Sequence, residues 1–162
     1  DWDLVLLRPP TDLLNNVCVT GAEGLVPQYK EVLGVSAIGA QPGSPFLQCW
    51  LNGMVQVYDP GNYVSHSTVL AREIAIAFPA SVRVLPSKSF YYPGWTREAM
   101  AWLFEPDEEL GPDELERALE GSWGIHLFES HENFLHYAEE LTLDDLRDMR
   151  CNFSNIIKPL LP

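Results

Sequence analysis

The chain has 162 residues, 46% of them hydrophobic, with 23 acidic against 10 basic side chains and a formal charge of −13. This is enough apolar material for one core and gives no sign of two comparable domains, and the acidic excess would repel a phosphate backbone, which argues against nucleic acid as the main partner. No stretch approaches the roughly 20 apolar residues that span a bilayer, and no basic region followed by an apolar one opens the chain, so any targeting or membrane segment is expected outside it.

In chain order, Leu4-Val5-Leu6-Leu7 is a short continuous aliphatic run, read as a strand buried on both faces. Arg8-Pro9-Pro10 ends its ladder, because two prolines cannot donate to it. A turn over Thr11 to Asn16 leads to a second strand at Val17-Cys18-Val19, and Gly21, Gly24 and Pro27 read as loop. A small-residue strand, Val35 to Ala40, precedes the turn Gln41-Pro42-Gly43. Ser44 then sits where an N-cap is wanted and Pro45 where a missing N–H is tolerated. Phe46, Leu47, Trp50, Leu51, Met54, Val55 and Tyr58 recur at three and four residue intervals, which predicts one buried helical stripe ended by Asp59-Pro60-Gly61.

A further helix is expected over Ser67 to Phe78, with Val69, Leu70, Ile74 and Phe78 on its inner face and Pro79 closing it. Val82 to Leu85 is a short strand ended by Pro86, and Ser89 to Trp95 is an aromatic loop. Thr96 can cap a helix through Phe104. Pro112 to Glu120 reads as an acidic helix with Gly121 at its C-terminal side. "SWGIHLFES" is an apolar strand with His126 inside it, and the tail from His131 to Arg150 is helical, with Thr142 capping a second segment. Strands alternating with helices favour an α/β layered fold. Cys18, Cys49 and Cys151 lack metal-ligand spacing and read as free buried thiols, with one disulfide as the alternative. Asn152-Phe153-Ser154 is a sequon that would accept a glycan in the secretory pathway.

The chemistry is expected at the N-terminus. Asp1 and Asp3 flank Trp2, so on an extended strand both carboxylates point to one side, about 7 Å apart. Two hard oxygen donors at that spacing suit a divalent ion such as manganese or magnesium. By itself an Asp-x-Asp triplet in so acidic a chain is ordinarily a solvated pair.

The wider pattern changes that weighing. "DWDLVLLRPPTDLL" resembles the DXD strand of glycosyltransferase family 32, the manganese-dependent sugar transferases that include α-1,4-glycosyltransferases and α-1,6-mannosyltransferases. "VSAIGAQPGSPFLQCWL" is similar to that family's small-residue strand, turn and following helix. "VRVLPSKSFYYPGW" resembles its strand ending at Pro with an aromatic loop, and "SWGIHLFES" its late Val-His-Leu-Trp strand. The blocks run from Asp1 to about residue 130 in the family's order.

The resemblance implies a GT-A-like nucleotide-sugar transferase fold, of which this chain would be the C-terminal part (1–130), followed by a helical extension packed on it (131–162). It implies metal-dependent retaining transfer of a sugar from a UDP-sugar or GDP-mannose donor to a glycan or glycolipid hydroxyl, in the Golgi lumen as part of a type II membrane protein. Asp1 and Asp3 correspond to the donor-phosphate and metal ligands, and His126 to a third contact with the metal (Mn2+ or Mg2+) or with the diphosphate.

Phe128 stands where the family has Trp, and His66-Ser67 where it opens a helix with Gly-Pro, a departure on the acceptor side. No catalytic nucleophile is assigned. Glu23 is only a weak candidate, a solvated loop glutamate being the favoured reading, and Tyr91, Tyr92 and Trp95 form an aromatic surface that could stack on an acceptor sugar or pack in the core. Two rival readings stand beside this one. The first is a degenerate, non-catalytic interaction domain. The second is a hydrolase metal centre built on His126, His131 and His136, whose intervals of five keep the histidines off one helical face.

Overall fold

A computed structural model describes residues 1–26, 29–62, 64–138 and 141–161. Among these, five strands are formed: β1 (Leu4–Leu6), β2 (Cys18–Val26), β3 (Tyr29–Ala40), β4 (Arg83–Leu85) and β5 (Gly124–His126). The α-helices are α1 (Pro45–Val57), α2 (Leu70–Ala77), α3 (Arg97–Phe104), α4 (Pro112–Leu119), α5 (Glu132–Ala138), α6 (Leu143–Asp148) and α7 (Asn152–Ile157). The architecture is mixed α/β with small sheets. It divides into two compact units, one of residues 1–2 and 9–91 and one of residues 3–8 and 92–162.

The first unit is built on a three-stranded sheet of order β3-β2-β4, in which β2 and β3 are antiparallel and β2 and β4 parallel. The expected loop at Gly21 and Gly24 is strand instead: β2 runs to Val26, and its register against β3 shifts at three places between Thr20 and Val26. Gly24, at φ 111°, absorbs part of that irregularity, and such shifts are how a ladder survives residues that would otherwise end it. Pro27 lies outside the described residues.

Helix α1 starts where its cap predicts, with Ser44 Oγ accepting from Leu47 N at 3.5 Å. Its buried face is narrower than the stripe. Phe46 and Trp50 are buried with Cys18, Leu33, Ala71, Ile74 and Val82, whereas Leu51, Val55 and Tyr58 are exposed. Apolar periodicity identifies the helix but not how much of the face finds a neighbour. The second expected helix begins with a π-helical turn, Ser65–Val69, before α2, and Phe78 lies exposed past its end. Tyr91 closes this unit. Its ring lies against Gly21 and Gly34, where a Cβ on Gly34 would overlap it, and its hydroxyl accepts from Ser36 N at 3.2 Å.

In the second unit β1 pairs antiparallel with β5, Leu4 opposite His126 and Leu6 opposite Gly124. The reading of a strand buried on both faces is corrected. Among the described residues β1 has one neighbour, β5, and Leu6 is exposed, because one edge and part of one face carry no covering layer. The core of this unit gathers Met100, Leu103 and Phe104 of α3, Leu115 of α4, Ile125 of β5, Phe134 of α5, and Phe153, Ile156 and Ile157 of α7.

Thr96 and Thr142 cap α3 and α6 as expected, through bonds from Ala99 N (3.2 Å) and Asp145 N (3.2 Å). Asn152 overturns its reading as a glycan acceptor. It is fully buried, its amide donates to Trp102 O (2.7 Å) and Glu108 O (2.8 Å), and its Oδ1 accepts from Leu110 N (2.8 Å). Both hydrogens a glycosylation would need are already spent inside the fold.

Candidate metal and substrate site

Asp3 is the last residue before β1 and His126 the last residue of β5, so the antiparallel register that sets Leu4 opposite His126 also brings their polar side chains together. Asp3 Oδ1 lies 3.1 Å from His126 Nε2, and each side chain is 10% exposed. The other carboxylate oxygen accepts from Glu129 N at 2.9 Å, and Asp3 O accepts from Leu127 N at 3.0 Å. These two bonds bracket Phe128, which sits at φ 53°, a left-handed conformation costly for a bulky side chain. Its ring centroid lies 4.1 Å from that of His126.

Burial pushes the His126 imidazole below its usual pKa, opposed by the neighbouring Asp3 carboxylate. The neutral ring is the form that coordinates metal. Geometry also fits a cation, since ligand atoms at right angles on an ion with bonds near 2.1 Å are about 3.0 Å apart, close to the 3.1 Å between Oδ1 and Nε2. A direct hydrogen bond has that length as well. The donor set of carboxylate oxygen and imidazole nitrogen suits manganese better than calcium.

The other sequence-derived candidates are distributed as follows. Asp1 belongs to the first unit, where its amino group donates to Ser36 O and its Oδ1 accepts from Trp2 N at 2.9 Å. Glu23 is on β2 of the first unit rather than in a loop, and burial pushes its carboxyl up to about 7. Of the two readings left open for it, sugar-stacking surface or core, Tyr91 takes the core. It is 1% exposed, and burial, with the Glu23 charge adding to it, pushes its phenol up to about 12.

Tyr92 and Trp95 belong to the second unit and are half-buried. Tyr92 meets Trp102 edge-on with centroids 5.4 Å apart, and Trp95 lies 4.9 Å from the ring of His131. His131 and His136 join no group of three or more metal-ligating side chains among the described residues, so the three-histidine hydrolase centre is not formed there.

A concavity of about 1310 Å³ in the second unit lies past the far end of β1, with Leu7, Arg8, Leu110, Leu115, Leu119 and Ile156 among its walls. Its walls also carry Glu109, Glu116, Arg117 and Glu120, and neither Asp3 nor His126 lines it. What sequence reasoning missed is Glu129, whose backbone Asp3 holds, and His131 as the neighbour of Trp95; the signal available was their position in the loop directly after the His126 strand.

The chain matches no known family model, no curated protein and no solved structure.

Proposed function

We propose that the chain is the C-terminal part of a GT-A-like, metal-dependent retaining glycosyltransferase, which moves a sugar from a nucleotide-sugar donor to a hydroxyl of a glycan or glycolipid. The observation that carries the reading is the contact of Asp3 with His126. Two residues singled out by motif, far apart in sequence, meet at one end of the β1–β5 ribbon.

In this reading Asp3 and His126 hold a divalent cation. The bound metal would neutralise charge on the leaving diphosphate. The protein's own part is to hold the ligands. The ladder of β1 against β5 fixes both backbones, and the bond from Glu129 N orients the Asp3 carboxylate. Calorimetry with manganese and UDP or GDP tests it. Metal-dependent nucleotide binding that disappears in Asp3→Asn supports the reading, and nucleotide binding that is absent or indifferent to metal overturns it.

A second reading, a degenerate domain that binds another protein, is favoured by one observation. Both Asp3 oxygens already have partners inside the fold, so the residue can serve as a clamp for the loop at Phe128 without any metal.

A further inference from the structure

Beside the Asp3 and His126 pair, the loop that Asp3 holds carries a second set of polar groups with no role so far. Glu129 N is tied to Asp3, and His131 N donates to Phe128 O at 2.8 Å, so Glu129 and His131 ride on one short, pinned segment. His131 Nδ1 accepts from Asn133 N at 3.2 Å, and Asn133 Nδ2 donates to Trp95 O at 2.9 Å. Asn133 thereby fixes both the ring of His131 and the backbone of Trp95, whose ring centroids are 4.9 Å apart. Because Nδ1 accepts, the neutral imidazole carries its proton on Nε2. Among the described residues that N–H, the indole N–H of Trp95 and the Glu129 carboxylate have no protein partner. All three side chains are half-buried and remain open to solvent.

We propose that Trp95, His131 and Glu129 form a binding subsite for a neutral pyranoside, the ring of the acceptor sugar. This rests on the transferase reading for the word acceptor, but not for the binding itself. An indole offers an apolar face and one donor, a fixed imidazole a second donor, and a carboxylate an acceptor. A pyranoside presents the complement: a face of C–H groups, and hydroxyls that both donate and accept. A purely apolar ligand would leave the two N–H groups unpaired at a cost. An anion would face the Glu129 carboxylate on a chain of charge −13. In this proposal Trp95 is the residue of the aromatic loop that meets the sugar, with partners from a different segment.

The test uses the full chain with neither metal nor nucleotide present. The ring signals of its four histidines are followed by NMR while methyl glycosides of galactose, glucose, mannose and N-acetylglucosamine are titrated in. At least one glycoside is expected to shift the His131 signal saturably, with a Kd around 1 mM for a ligand of this size, while His66 and His136 stay in place. Trp95→Leu should weaken that binding at least tenfold and Trp95→Phe restore part of it.

Should Trp95→Leu lose its fold, His131→Gln read through the Trp95 indole signal takes its place, with the same loss expected. No saturable shift with any of the four sugars, or binding unchanged in these variants, overturns the proposal. Failure of the metal reading shows separately, as absent manganese-dependent nucleotide binding with sugar binding intact.

Discussion

Asp3 Oδ1 stands 3.1 Å from His126 Nε2 while Asp3 Oδ2 accepts from the backbone of Glu129, so one carboxylate joins the end of β5 to the loop beyond it. Asp3→Ala removes both acceptors and is expected to destabilise the second unit by about 1–3 kcal/mol, measured by urea unfolding. Asp3→Asn keeps one oxygen and should cost roughly half as much; on the proposed metal-dependent reading it should also abolish manganese binding, since an amide oxygen without charge is a poor ligand for that ion. Equal loss of stability in the two variants would show that charge, not hydrogen bonding, holds the loop.

Asn152 is expected to be among the least replaceable residues of the second unit. Asn152→Asp would strip the partner from Trp102 O and Glu108 O and bury a carboxylate facing them. A loss of about 3 kcal/mol or more follows, measured by chemical denaturation. In a secretory host the folded protein should carry no glycan at Asn152, read by intact mass.

Glu23 gives the first unit a pH dependence of known sign. Its folded pKa of about 7 lies above the ordinary glutamate value of about 4.3, so between those limits the folded state binds more protons than the unfolded one. The stability tied to this group is therefore full below the lower limit and lost as pH rises through 7. Glu23→Gln should be more stable than the parent by up to about 3 kcal/mol near pH 8 and converge with it near pH 4. Thermal midpoints across that range decide it, and parallel curves for the two proteins would refute it.

Gly34 and Tyr91 are coupled by exclusion. A methyl group at Gly34 would overlap the buried Tyr91 ring, so Gly34→Ala is expected to cost about 2–3 kcal/mol by overpacking. In Gly34→Ala with Tyr91→Leu the clash is removed, and the combined loss should fall below the sum of the single losses by at least ~1 kcal/mol. Additive losses would mean that Gly34 matters through its backbone rather than through the ring.

The three cysteines should separate by reactivity. Cys49 is exposed, while Cys18 and Cys151 are buried thiols with pKa values pushed up by that burial. Titration with a thiol reagent should give one fast equivalent in the native protein and three after unfolding, with no change on adding a reductant.

The sequence by itself determined the features whose physics spans three or four residues. Ser44 with Pro45, Thr96 and Thr142 marked helix starts because a cap bonds within its own first turn. Asp3 and His126 were singled out from residue type and motif. Their meeting was decided only by the strand register, a pairing between distant segments that no local pattern encodes.

Tertiary structure alone decided the other outcomes, each by what a residue packs against. Tyr91 went to the core because Gly21 and Gly34 leave room for its ring. Leu51 and Val55 stayed exposed because, among the described residues, no element covers that side of α1. Asn152 became a buried bolt because α7 carries it beneath Trp102 and Glu108, where its amide is the partner their carbonyls need.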